Sequence, residues 1–263
     1  AEYMGSTSLS TMWYITLLIA SCIPLCYAGQ PLPPYIKPCA RSDPNINECA
    51  VKHGNEAIPE LVKGDRKYKI PVLDPFDIKE LKIIDDGSRT SGISITLKNA
   101  KVYGIKDSQL KKASIHFDQN HSYYDMLVPK VHIVGEYESS GRILLLPISG
   151  KGNVSLTIEN IYVMYYEHWQ LAPKNGEMYL TRDNLTATSK TPTGFHIQLT
   201  NLFNGNKLLG DQMNEFLNEN WRDAYNELSP TIFKIIAEIL VSVVSRISSV
   251  VPYDNIFPEK LPS

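Results

Sequence analysis

The residues able to do chemistry in this 263-residue chain are few, and their spacing narrows what they could do. Four cysteines stand at Cys22, Cys26, Cys39 and Cys49, all in the first fifth of the sequence. A structural zinc site needs four ligands, and near Cys39 and Cys49 the sequence adds His53 alone. The six histidines (His53, His116, His121, His132, His168 and His196) are scattered without ligand spacing. No G-x-S-x-G elbow, H-E-x-x-H helix or Walker loop occurs. Gly150-Lys-Gly-Asn-Val-Ser lacks the last glycine of a dinucleotide fingerprint and reads as a hairpin turn between strands. Glu167 and His168 fall where a strand is expected to end, and read as surface groups. His132 and His196 have the parity opposite to their apolar neighbours and should face solvent. The charges from Lys106 to Lys112 read as a solvated loop. The expectation is a protein with no catalytic residue, metal or cofactor.

Cys22 and Cys26 belong to a different kind of signal. Trp13 to Ala28 is an apolar run that ends in small residues, as a secretory signal does before cleavage. It is interrupted by Pro24 and is short for a bilayer, which needs roughly 20 residues. No Lys or Arg precedes Lys37, so the usual basic flank is missing; Met12 offers a start, with residues 1–11 then non-native. Residues 1–28 are therefore expected to be a signal peptide and 29–263 a single domain, the alternative being an uncleaved anchor. Secretion would leave Cys39 and Cys49 in an oxidising compartment, where the two should pair. Closing that loop is worth roughly 2.5–3 kcal/mol on the chain-entropy model. Sequons at Asn120, Asn153 and Asn184 fit an extracellular, glycosylated chain. The balance of 26 basic against 28 acidic residues argues against a nucleic-acid partner.

The elements that must position these groups are legible from periodicity. A Pro-rich lead over 29–44 is followed by an expected helix from about Asn45 to Val62, with Pro59 near its end. Residues 92–203 alternate at period 2: Ile93, Ile95 and Leu97 share a face, as do Leu127, Val131, Ile133 and Tyr137. Val154, Leu156 and Ile158 give way to Ile161, Val163 and Tyr165, a change of parity that predicts a bulge near Glu159 and Asn160. Arg142 to Ile148 does not alternate, which predicts burial on both sides. Gly-containing turns at short intervals give antiparallel, not βαβ, spacing. After Asn204 the period becomes helical, with Ser229 and Pro230 expected to start a fresh helix over 230–251, roughly 33 Å long. Lys234, Glu238 and Arg246 within it argue against a membrane span. A helix so apolar needs a covering, and about 110 residues of antiparallel strand precede it.

Several segments also match a known pattern in order: Leu32-Pro-Pro-Tyr-Ile-Lys-Pro-Cys39, Ser42-Asp-Pro-Asn-Ile-Asn-Glu-Cys49, Ala57-Ile-Pro-Glu-Leu61, Ile70-Pro-Val-Leu-Asp-Pro75, Gly141 to Gly152, Asn201-Leu-Phe-Asn-Gly205 and Val251 to Pro258. Over essentially the whole expected mature chain the sequence resembles the insect takeout and juvenile-hormone-binding protein family. The resemblance implies an α+β, tubular lipid-binding super-roll: a long C-terminal helix wrapped by a highly curved antiparallel sheet around an apolar tunnel. It implies a disulfide between Cys39 and Cys49. Haemolymph hormone carriers typically add a second cysteine pair in the sheet; its absence here points to the takeout-like branch, whose members are linked to chemosensation, feeding rhythm and development.

On that reading the chain is a secreted carrier of a small hydrophobic ligand (juvenile hormone, a fatty acid or a related terpenoid), monomeric, without stable membrane insertion, and with a receptor left open. The expected tunnel wall is Ile93, Ile95, Leu97, Val131, Ile133, Tyr137, Val163 and Tyr165 from strands, and Phe216, Trp221, Tyr225, Phe233, Ile236 and Leu240 from the helix. Each is equally readable as plain core, and a buried tyrosine hydroxyl is the group best suited to a ligand's polar head. The alternatives are an extracellular interaction protein whose tunnel is filled by side chains, and a lipid-ester hydrolase, for which no nucleophile stands out.

Overall fold

Two strands are too long for the molecule to be flat. In the computed structural model, which describes residues 29–84 and 92–261, β4 (His121–Ser140) has 20 residues and β7 (Gly150–Lys174) has 25. At about 3.3 Å per residue β7 has a contour near 80 Å, whereas a globule of this size is roughly 45 Å across. These strands must curve, and their shared register runs unbroken from His121 opposite His168 to Ser139 opposite Gly150. The expected signal peptide lies outside the described residues.

The other strands attach to this spine in halves. β1 (Phe76–Ile84) pairs with β2 (Ser94–Tyr103), and β2 pairs with the second half of β4. β3 (Gln109–His116) pairs with the first half of β4. β8 (Glu177–Ser189) takes the second half of β7, and β9 (Gly194–Leu199) the first half. All pairings are antiparallel, as the spacing predicts. The segment Lys106–Lys112, expected to be a loop, is a short 3-10 turn over Ile105–Asp107 followed by the start of β3, with Leu110 buried.

The parity change in β7 is real, but it is not a one-sided bulge. Ile158 lies opposite Val131 and Ile161 opposite Val128, and all four pack into one cluster. Both strands therefore change parity at the same place, where Asn160 takes a left-handed φ of 54°. One consequence corrects the sequence reading: Leu127 pairs with Tyr162, which is 40% exposed, so it shares the outer face and not that of Val131.

Gly150 and Gly152 open β7 instead of forming a turn. Added Cβ atoms would come within 2.3 Å of the Thr200 carbonyl oxygen at Gly152 and 2.8 Å of the Tyr137 hydroxyl at Gly150, so these glycines admit a close crossing of the chain leading out of β9. Arg142 to Ile148 is not doubly buried either. It makes a two-residue ribbon, β5 (Arg142–Ile143) with β6 (Leu146–Pro147), turned through Leu144 and Leu145 at left-handed φ. Leu145 is 68% exposed, and Ile143 and Ile148 are the residues this segment buries.

Helix α1 (Ile46–Leu61) forms as expected, with Pro59 in its last turn. α2 (Lys207–Glu219) carries the asparagine cap Asn206, whose side chain accepts from the Leu209 amide. The next break falls at Asn220, not at Ser229: α3 (Trp221–Ser248) runs 28 residues straight through Pro230, about 42 Å. A proline at this point removes one amide donor, and packing of the helix outweighs the loss. A short α4 (Tyr253–Ile256) ends the fold.

Both peripheral helices use asparagine side chains to complete the sheet. Asn214 of α2 accepts from the Leu199 amide at 2.8 Å and donates to its carbonyl at 2.9 Å, and Asn218 does the same for Ile197 at 2.8 Å each. Asn55 of α1 makes the equivalent pair with Leu110 on β3.

Candidate functional site

The inner face of the roll is built from alternate strand residues and from one face each of α2, which carries Phe216, and α3. Most of the expected wall residues fall into two of the buried clusters. Ile93 and Tyr137 are buried with Met213 and Leu217, and Ile95, Leu97 and Phe216 pack against them. Val163, Tyr225 and Phe233 are buried together further along, flanked by Val131, Tyr165, Trp221 and Ile236. In that second cluster the Trp221 indole stacks on Phe195 with an interplanar angle of 7°. Ile133 lies opposite Leu156 and so faces inward, and Leu240 follows Ile236 by one helical turn; both are half-buried and belong to neither cluster.

The state of these side chains carries information. α3 has the length and composition of a membrane span, yet it lies against β8. Only 17% of its most apolar stretch is buried. The facing strands match it: Ile95, Leu97, Val131, Ile133, Leu156, Ile158, Phe195 and Ile197 are all half-buried. Apolar side chains on the helix and on these strands thus keep accessible area.

Hydroxyl groups are distributed unevenly along this face. Tyr137 donates to the Thr200 carbonyl at 2.8 Å, and burial pushes its pKa up to about 12. Tyr225 shares a 2.7 Å hydrogen bond with the Ser189 hydroxyl, with burial again raising its pKa. Tyr124 and Tyr165 face each other across β4 and β7. Burial pushes both well above the usual tyrosine range, and for Tyr124 the Glu167 carboxylate adds to the effect.

Glu167 is the clearest correction to the sequence reading. It is 8% exposed, lies in mid-strand and faces inward. The Arg182 guanidinium donates to it at 2.6 Å and to the Ser248 hydroxyl at 2.8 Å, which ties β7, β8 and the end of α3 together. The signal was present in the sequence, because Tyr165, Glu167 and Trp169 continue the parity of Ile161 and Val163. Beyond the ion pair the roll is closed by Trp169, Leu180, Tyr253, Phe117 and Phe257, and by a second cluster around Tyr68, Val243, Ile247 and Val251.

Outside the roll, Cys39 and Cys49 form the expected disulfide. His53 Nδ1 lies 3.4 and 3.5 Å from the two sulfurs. This trio has the proximity of a metal site, but the thiolates a metal needs are consumed in the S–S bond. His196 is exposed, and His132 is half-buried and bonded to Thr157. Asn153 is exposed at the edge of a shallow outer depression, Asn120 sits in the turn between β3 and β4, and the side chain of Asn184 lies outside the described residues.

A highly curved antiparallel sheet rolled about one long apolar helix defines a protein of the tubular lipid-binding class. The chain belongs to the haemolymph juvenile hormone binding protein family, whose model matches residues 15–258. It is 23% identical over 265 residues to the circadian clock-controlled protein daywake of Drosophila melanogaster, covering 98% of this chain and 99% of that protein. The Drosophila yakuba daywake is 22% identical over 237 residues. The crystal structure of Epiphyas postvittana Takeout 1 shares the fold with a TM-score of 0.76 and 26% identity, over 84% of this chain and 99% of that one. The fold and family expected from the sequence both hold.

Proposed function

We propose that this protein is a secreted carrier that holds a small hydrophobic molecule inside the roll, between α3 and the concave face of the sheet. One observation carries the reading: apolar residues of the helix, and of the strands that share its clusters, are only half-buried. A solvent-filled gap between two such surfaces is unfavourable, and an apolar ligand filling it would gain about 0.8 kcal/mol per methylene removed from water. A 16-carbon chain gains roughly 13 kcal/mol gross on that scale. Ordering and association subtract several kcal/mol, which leaves binding in the micromolar to sub-micromolar range. Juvenile hormone, fatty acids and related terpenoids have suitable length and polarity. The family assignment supports the carrier reading, and the disulfide suits an extracellular setting.

The proposed wall comprises the fourteen residues from Ile93 to Leu240 named above, and the reading is of binding without turnover. Native mass spectrometry of protein purified from a eukaryotic secretory host tests it. An apolar molecule released on denaturation is the expected result. A protein that comes out empty and takes up neither fatty acid nor terpenoid overturns it. Leu240→Trp adds volume one helical turn beyond Ile236, at a half-buried position, and should weaken uptake while leaving the fold intact.

A further inference from the structure

Three consecutive residues of the Pro-rich lead are each tied to a different part of the fold. The Gly29 amide donates to Glu177 Oε2 at 3.0 Å, and the Tyr179 hydroxyl donates to the same oxygen at 3.1 Å. The Gln30 amide donates to the Val250 carbonyl at 2.8 Å, just past α3, and the Pro31 carbonyl accepts from the Tyr68 hydroxyl. Position 29 admits no side chain: a Cβ there would lie 2.4 Å from Pro252 Cγ and 2.6 Å from the Tyr179 hydroxyl. In the next residue, the Gln30 side-chain oxygen is buried with no hydrogen-bond partner among the described residues. A peptide amide has one hydrogen to offer at this point, whereas an ammonium group has three.

We infer that Glu177 is the counter-ion of the mature N-terminus, and that the Gly29 α-ammonium released by signal cleavage locks the β7–β8 hairpin onto the end of α3. This rests on the reading of residues 1–28 as a cleaved signal and adds what the cut produces. Hydrolysis of the Ala28–Gly29 peptide bond breaks its carbon–nitrogen bond. The oxygen of water goes to Ala28, which becomes a carboxylate, and both its hydrogens go to Gly29, which becomes an ammonium. The nitrogen already sits at hydrogen-bond distance from the Glu177 carboxylate, so cleavage changes its charge without requiring it to move. A neutral donor becomes a charged one, and the bond becomes roughly twice as strong. Further hydrogens are then available to the unanswered Gln30 oxygen. Glu177 and Tyr179 belong to β8, Val250 follows α3 and Pro252 precedes α4. The new terminus therefore fastens the end of the roll that Trp169, Leu180 and Tyr253 close.

The test begins with the full chain expressed in a eukaryotic secretory host and sequenced from its N-terminus, where Gly29 is the expected first residue. Export with cleavage at any other bond overturns the counter-ion assignment alone. A chain that is not exported removes the secretory reading, and this inference with it. Urea unfolding is then measured at pH 6.5, where an α-amine with an ordinary pKa of about 8 is charged. It compares the form beginning at Gly29 with one carrying Gly-Ser-Ala ahead of Gly29, each with Glu177 and with Glu177→Gln. With Glu177 present, the extension should raise the unfolding equilibrium constant roughly threefold to tenfold, the range of one partly exposed charged hydrogen bond. In Glu177→Gln the two forms should agree within about twofold, the limit of additivity for groups that do not interact. An extension that costs nothing, or costs the same in both backgrounds, overturns the pairing.

Discussion

Breaking the Arg182–Glu167 pair should be among the most damaging single changes in the protein. The two side chains are 7% and 11% accessible, and their contact is 2.6 Å. Surface pairs contribute at most about 1 kcal/mol, but removing one member of a buried pair strands the other charge and costs about 3–5 kcal/mol. Arg182→Met leaves the Glu167 carboxylate beside Tyr124, and Glu167→Gln leaves the guanidinium without a counter-charge. For a domain of this size each kcal/mol moves Tm by about 2–4 °C, so either variant should melt roughly 6–20 °C lower. The double variant should be no less stable than the worse single one, because no lone charge remains. Urea unfolding of the wild type, both single variants and the double variant completes the cycle. Single variants within about 0.5 kcal/mol of the wild type would refute the reasoning and place the pair in solvent.

Other consequences can be measured in the same way. Replacing Cys39 and Cys49 together by serine should cost about 2.5–3 kcal/mol in urea unfolding, the loop-closure value for ten residues of separation. Pro230→Ala should raise stability by up to about 3 kcal/mol, because it restores a helical amide donor inside α3; a loss would show that the proline fits a bend the helix requires. Asn214→Leu should cost about 2–5 kcal/mol by stranding both backbone groups of buried Leu199. Alkaline titration followed at 295 nm should show a late-ionising subset among the 15 tyrosines. The Tyr137 pKa is near 12 in the folded state against about 10 unfolded. Its contribution is therefore complete below pH 10 and is lost as pH rises through 12, on the order of 3 kcal/mol. Stability that stays flat across that window would count against its burial.

Where a segment has one dominant period, the sequence predicts its element well. The strands over 94–199, α1, and the apolar stripe of α3 all rest on alternation or three- and four-residue spacing that a single buried face imposes. The failures share a cause: local signals were overruled by contacts distant in the chain. Pro230 reads as a helix start, yet packing of α3 against β8 carries the helix through it. Gly150 and Gly152 read as a turn, yet they make room for Thr200 and Leu202, some fifty residues away. Glu167 reads as surface because charge is usually solvated; its partner Arg182 lies across a hairpin, beyond a register shift between His168 and Trp169. In the candidate site, parity identifies which residues point inward. It does not reveal which hydroxyls have partners, because Thr200 and Ser189 come from other elements.

The asparagines of α1 and α2 have an effect beyond stability. An uncovered strand edge is a template on which a second molecule can continue the sheet. β9 and β3 are short strands flanking a long spine, and their outer backbone groups at Ile197, Leu199 and Leu110 are answered by carboxamides that mimic one peptide unit each. An amide side chain satisfies the edge but cannot propagate it, since behind it lies a helix and not another strand. At these two edges a second molecule's strand finds no open backbone at Ile197, Leu199 or Leu110, and the asparagines work as terminators.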